Sequence, residues 1–182
     1  MPAEFEEEND RLPLCQVNEI YKGHEVSTHG LIHPFYERLT YDEICADITA
    51  DITNLEKLTG VPCKGHAYPC GGYNDTVVKA FADCGIRYAR TTKNTHSFAI
   101  PENPLILHPT CHHSDDEMMS LIEKFIAAEP TDGDLLFYVW GHTYEFDLNI
   151  ERNNWDYIEE VCKKISGKSD IEYVTNMQFF DR

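Results

Sequence analysis

The amino-acid sequence predicts an α/β protein built on parallel strands, and three observations carry that reading. Segments of helical period alternate with short β-rich segments, separated by glycine, proline and capping residues. The stretch Leu135 to Trp140 is apolar without alternation, as in a strand covered on both faces. The polar residues His29, Tyr68, Thr91, His108, His142 and Asn176 each fall at or just past the carboxyl end of an expected strand. In (β/α) barrels that rim is where chemistry is assembled, so the expected architecture is a barrel rather than an open sheet.

The elements follow in order. Pro13 opens a short helix carrying Leu14, Val17, Ile20 and Tyr21, and Gly23 ends it. Glu25 to Thr28 is the first expected strand. Thr40 with Glu43 forms a capping box for a helix that places Ile44, Ile48, Ile52 and Leu55 on one face and stops at Gly60. A strand ending near Tyr68 comes next, then a helix capped by Asn74, buried through Val77, Val78 and Phe81, and closed by Gly85. Ile86 to Thr91 and Leu105 to Leu107 are expected strands. Ser114 with Glu117 forms a second capping box before Met118, Leu121, Ile122 and Phe125, and Pro130 ends that helix. After the apolar Leu135 to Trp140, the residues Trp155, Ile158, Val161, Cys162 and Ile165 mark a last helix, stopped by Gly167. Ile171 to Thr175 is the last expected strand.

Composition narrows the partners. A chain of 182 residues, 42% hydrophobic, buries enough to form one domain. Asp and Glu number 32 against 15 Lys and Arg, a formal charge of −17, which disfavours nucleic acid and anionic membrane surfaces. The acidic run Glu4 to Asp10 reads as a solvated leader over 1–11, leaving 12–182 as the folded domain. No apolar stretch reaches the roughly 18 residues of a membrane span, and the start lacks a basic-then-apolar layout. The chain as written is therefore expected to be cytoplasmic. Its seven cysteines are scattered without a C-x-x-C pair, which fits a reducing compartment.

The sharpest chemical signal is the run Ser27-Thr28-His29-Gly30-Leu31-Ile32-His33-Pro34. One turn brings positions i and i+4 onto one face, and neutral imidazole is a common zinc ligand, so His29 and His33 are candidate metal ligands. Taken alone, the pair also fits two ordinary surface or packed histidines. Two further segments follow: Ala67-Tyr68-Pro69-Cys70-Gly71-Gly72-Tyr73-Asn74 and Leu135 to His142.

In this order the three segments resemble the NodB-like polysaccharide deacetylases of carbohydrate esterase family 4. His29 and His33 match the family's H-[ST]-x-x-H metal motif, Ala67 to Gly71 its R-P-P-Y-G motif in an A-Y-P-Y-G variant, and Leu135 to His142 its strand ending in histidine. The resemblance runs over roughly Leu12 to Arg182. It implies a distorted (β/α) barrel that hydrolyses acetyl groups on an acetylated glycan or amino sugar with a divalent metal, expected to be zinc. In that scheme the metal polarises the acetyl carbonyl and activates water. His142 protonates the leaving amine. The backbone N–H near Cys70 helps hold the oxyanion. Tyr68, Pro69, Cys70, Gly71, His108 and Trp140 would line the substrate.

The sequence departs from the family pattern in four places. No T-F-D-D-G motif precedes His29, so the catalytic base and the third metal ligand are unmatched, and the chain is expected to lack the first βα unit. Ala67 stands where many members place an arginine, Cys70 stands in place of an aromatic residue, and no D-x-x-D-W segment is found. Weak metal binding, little activity and homo-oligomers that cover an open barrel edge are the resulting expectations. A non-catalytic carbohydrate-binding module on the same barrel is the rival reading, and an unrelated α/β barrel a third.

Several residues carry plainer readings. His108, Cys111, His112 and His113 are four potential ligands in one stretch; a closed zinc site is one reading, but a rim loop facing the sugar or the main metal is expected, because adjacent His112 and His113 do not easily both face one ion. Tyr68 and Trp140 fit barrel packing as well as a sugar platform, and His142 fits a simple hydrogen bond to backbone. His24, His66 and His96 are expected to be structural or exposed.

Overall fold

The computed structural model describes residues 13–129 and 133–181. The leader expected over 1–11 and the stop at Pro130 lie outside them. Two compact units make up the described chain. One is drawn from Met1–Thr91, Asn103–Leu107 and Val174–Arg182, the other from Thr92–Glu102 and His108–Tyr173.

The first unit is organised by helix α2, Tyr41–Thr59, which follows a minor one-turn α1, Val17–Ile20. Thr40 and Glu43 close the expected capping box, and Gly60 ends α2 in the left-handed conformation at φ +73°. Its buried face is Ile44, Ile48 and Asp51. Strand β1, Gly65–Ala67, leads into α3, Asp75–Asp83, which Asn74 caps by accepting the Val77 N–H; strand β2, Tyr88–Arg90, comes next. β1 and β2 pair in parallel, Gly65 opposite Tyr88 and Ala67 opposite Arg90. Single parallel bridges, Thr28 with His66 and Arg90 with Leu107, extend the order on both sides. Neighbours in space are thus successive in sequence, as βα repeats require. The core gathers Tyr36, Ile44, Ile48, Tyr68, Val77, Ala80, Phe81, Ile86 and Ala89.

The second unit pairs β3, Cys111–His112, in parallel with β4, Val139–Trp140. Helices α4, Met118–Ile126, and α5, Trp155–Ile165, cover them. Met118, Leu121, Ile122 and Val161 pack on Cys111, joined by the partly buried Phe98, Phe137, Ile158 and Ile165.

Five expected elements turn out differently. Glu25 to Thr28 contributes one rung at Thr28, while the Glu25 carboxylate bonds laterally to the Tyr88 hydroxyl and the Met177 N–H. Of Leu105 to Leu107, the first two lie in a 3-10 turn over Pro104–Ile106 and Leu107 alone joins the ladder. Leu135 to Trp140 pairs only at its end. Upstream, the Leu136 N–H bonds to the Phe98 carbonyl and the Tyr138 N–H to the Thr110 hydroxyl. Ser114 does not cap α4, since its hydroxyl is engaged with His112 Nδ1 and the helix begins after Glu117. Ile171 to Thr175 is not a strand: Thr175 with Gln178 closes a capping box on α6, Asn176–Phe180. The α/β class holds. Among the described residues, no helix is long and apolar enough to cross a membrane.

Candidate functional site

In the first unit, the loop after Thr28 is gripped by α2. Asp51 Oδ2 accepts the N–H groups of His29 (3.1 Å) and Gly30 (2.9 Å), and Asp47 Oδ2 accepts the N–H of Leu31 (3.1 Å). Burial raises the Asp51 carboxyl pKa, opposed by those two backbone donors. Gly30 sits at φ +83°, where a Cβ would lie 2.7 Å from Pro34 Cδ, so the turn demands glycine. His29 Nδ1 lies 2.6 Å from the Ala67 carbonyl oxygen, which can only accept; Nδ1 therefore carries the proton and Nε2 the lone pair. The rings of His29 and His33 are both exposed, with centroids 4.8 Å apart at 77°.

Behind this loop lies His66, 1% exposed. The Thr28 hydroxyl donates to the Gly65 carbonyl at 2.9 Å, so it accepts from His66 Nδ1 at 2.8 Å. Burial holds the His66 pKa well below that of an ordinary imidazole, with the neighbouring His29 and Arg90 adding to the effect. His66 Nε2 is buried with no hydrogen-bond partner among the described residues. The ring packs among Tyr36, Tyr68 and Phe81.

The segment after β1 contains the expected substrate-lining residues. Tyr68 is fully buried in the core, its hydroxyl donating to the Leu105 carbonyl at 2.8 Å, so its side chain serves packing. Pro69 is buried, whereas Cys70 is exposed at φ +53°, followed by Gly71 at φ +77°. The Gly71 N–H closes back onto the Tyr68 carbonyl at 3.0 Å. This tight left-handed turn presents the peptide around Cys70 at the surface.

The second unit contains a cluster centred on Glu145. His112 Nε2 and His113 Nε2 lie 3.2 and 3.3 Å from Glu145 Oε2, and His142 Nδ1 lies 3.2 Å from Oε1. His112 Nδ1 is 2.8 Å from Ser114 Oγ, and His113 Nε2 is 2.7 Å from Asn153 Oδ1. His112 and His113 do face one point, contrary to expectation: β3 ends at His112, so strand alternation does not extend to His113, and the ring centroids are 4.2 Å apart. Gly141 makes room, since a Cβ there would meet His113 Nδ1 at 1.8 Å. Trp140 stands edge-on to His112 at 4.5 Å, its indole N–H donating to Asn94. His108 is partly buried, and burial with the nearby Lys93 charge lowers its pKa.

The sequence-predicted residues therefore divide: His29, His33 and 68–71 belong to the first unit, and His108, Trp140 and His142 to the second. Asp47, Asp51 and Glu145 were not foreseen. Asp51 had a signal, as an acid on the apolar stripe of Ile44 and Ile48, and Glu145 had one in its i+3 spacing from His142.

Residues 14–89 match the polysaccharide deacetylase family model. The Streptococcus pyogenes deacetylase PplD, solved in complex with acetate, is 25% identical with a TM-score of 0.50, covering 54% of this chain and 43% of that one. Two others share the fold. A putative polysaccharide deacetylase from Mycobacterium smegmatis has a TM-score of 0.57 at 17% identity, covering 92% of this chain and 66% of that one. A family 4 carbohydrate esterase from Streptomyces lividans, with acetate, has a TM-score of 0.51 at 13% identity, covering 85% and 69%. No curated protein matches the chain. The similarity to polysaccharide deacetylases thus rests on residues 14–89, and the chain spans less than half the length of the streptococcal deacetylase.

Proposed function

We propose that the chain takes part in metal-dependent hydrolysis of N-acetyl or O-acetyl groups on a glycan, with His29 and His33 as ligands. One observation carries the reading. The His29 Nδ1 contact with the Ala67 carbonyl fixes the tautomer a metal-binding histidine needs, inside the segment that matches the family. The donor chemistry fits zinc: a nitrogen-bound zinc sits about 3.2 Å from each ring centre, so rings 4.8 Å apart can share one ion. Bound there, zinc would supply Lewis acidity and an activated water.

The chain's own residues do the rest. Asp47 and Asp51 hold the ligand loop on α2, and the turn at Pro69, Cys70 and Gly71 offers backbone N–H to a developing oxyanion. His142 is the proposed proton donor, oriented through Nδ1 by Glu145. His108 and Trp140 are the proposed glycan contacts, and Tyr68 braces the turn from the core. We propose that both units are portions of a distorted (β/α) barrel over 12–182, supported by successive parallel pairing in the first unit. Among the described residues no carboxylate joins His29 and His33 in a three-ligand group. With the T-F-D-D-G carboxylates unmatched in the sequence, binding is expected at micromolar affinity or weaker, with little hydrolysis.

The test is a zinc titration of the purified chain alongside acetate release from acetylated chitooligosaccharide. Loss of one zinc equivalent on joint substitution of His29→Ala and His33→Ala supports the reading; unchanged zinc stoichiometry rejects it. The non-catalytic binding module is the second reading, favoured by Ala67 and Cys70 standing where the resemblance expects an arginine and an aromatic residue. Chitooligosaccharide retained by the chain with no acetate released would select it.

A further inference from the structure

We infer that the second unit holds a zinc-class cation site of its own, made by His112 Nε2, His113 Nε2 and Glu145 Oε2. No ligand is shared with His29 and His33, and the inference does not depend on the deacetylase reading. The three residues offer one ligand atom each, all within 4.8 Å of one another.

The spacing of each imidazole nitrogen from the carboxylate oxygen is that of ligands around an ion. The edge of a tetrahedron with metal–ligand bonds of about 2.0–2.1 Å is about 3.3 Å. The two nitrogens lie 3.2 and 3.3 Å from the carboxylate oxygen. Yet Glu145 Oε2, which is buried, has no hydrogen-bond partner of suitable geometry among the described residues. A buried carboxylate oxygen left in that state costs free energy unless a cation satisfies it. The side chain of His113 is 3% exposed, which places the point inside the unit rather than on its surface.

Two imidazoles and one carboxylate suit zinc and its neighbours, whereas magnesium and calcium prefer all-oxygen shells. Three protein ligands leave the fourth position open to water or a small anion. Binding requires both imidazoles to carry their proton on Nδ1. His112 has an acceptor for it in Ser114 Oγ at 2.8 Å. His113 must give up Asn153 Oδ1, and its Nδ1 has no partner among the described residues, so His113 is the weaker nitrogen ligand. Glu145 Oε1 remains on His142, so the same carboxylate would join the ion to the imidazole proposed as proton donor.

The test uses the full chain with His29→Ala and His33→Ala, titrated separately with zinc chloride and magnesium chloride. Trp140, 4.5 Å from His112, reports through its fluorescence. One equivalent of zinc bound with a change in Trp140 emission, and no response to magnesium, is the expected result. Glu145→Gln and His112→Ala are each expected to lower zinc affinity by more than about 100-fold, the upper end of what loss of an outer hydrogen-bond partner costs. The loss for His113→Ala should be smaller. No zinc bound by the folded double variant, or zinc bound with unchanged Trp140 emission, overturns the inference. Equilibrium dialysis of the wild type against zinc, expected to retain two equivalents and only one if the inference is wrong, needs no variant and decides the matter should one misfold. Failure of the His29 and His33 reading would show instead as wild-type zinc binding indifferent to those two substitutions.

Discussion

The two histidine pairs are built by opposite means. His29 and His33 are exposed and four residues apart, on a loop whose backbone is tied to α2 by Asp47 and Asp51. His112 and His113 are adjacent, inward of the surface, and brought to one point by a carboxylate that is 32 positions further on. In the first, anchoring acts on the backbone and leaves the rings outside. In the second, packing acts on the rings themselves. The fold around the first pair should tolerate ring substitution and loosen when its backbone clamp is removed; the fold around the second should show the reverse.

The largest effects should come from filling the two tightest glycine positions. Alanine at Gly65 would place Cβ 2.1 Å from the Tyr88 hydroxyl oxygen, and at Gly141 1.8 Å from His113 Nδ1. Gly65→Ala is expected to cost about 3 kcal/mol or more, because core Tyr88 has nowhere to go. Gly141→Ala is expected to cost about 1–3 kcal/mol and to abolish zinc binding in the second unit while leaving the first intact. Urea denaturation with a zinc titration separates the two outcomes; equal mild effects would break the contrast.

Removal of the clamp comes next. Asp51→Ala leaves the His29 and Gly30 N–H groups without their acceptor and should cost about 1–3 kcal/mol. Zinc binding at His29 and His33 should weaken with it, whereas His33→Ala should leave denaturation unchanged within about 0.5 kcal/mol. A stable Asp51→Ala protein with normal zinc affinity would show that the loop holds its shape unaided.

The pH dependence sharpens the role of His66. Its folded pKa is lowered by burial, so the unfolded chain binds the extra proton as pH falls below about 6.5. Stability is therefore full above that pH and declines below it, until the folded pKa is reached, by up to about 1.4 kcal/mol per pH unit. Denaturation midpoints between pH 7.5 and 5 should fall for the wild type and flatten in His66→Phe. The smallest effect is at the helix start: Thr40→Ala removes the capping box and should cost about 1 kcal/mol by the same measurement.

What was legible in the sequence was local. Thr40 to Gly60 announced its helix at both ends, because capping boxes and left-handed glycines are formed by residues within a turn of one another. Asn74 and α3 were legible for the same reason. The α/β class and the histidine pair at 29 and 33 followed from period and spacing. Strand lengths were not legible, since whether Leu135 or Glu25 joins a ladder depends on partners far along the chain. Tyr68 illustrates the difficulty with aromatics: its motif position suggested a substrate contact, while its burial against Phe81 and its bond to Leu105 depend on tertiary structure. Glu145 was missed because its significance lies in β3, more than thirty residues earlier.

The clamp on α2 has one more consequence, in the time domain. Three successive amide protons, at 29, 30 and 31, point at carboxylates one helical turn apart on α2. Loop amides ordinarily exchange with solvent at nearly the free rate, and helix amides only when the helix opens. These three belong to no helix, yet none can reach water without leaving Asp47 or Asp51. Their exchange should therefore follow the opening of the middle of α2, so the loop inherits the helix's clock.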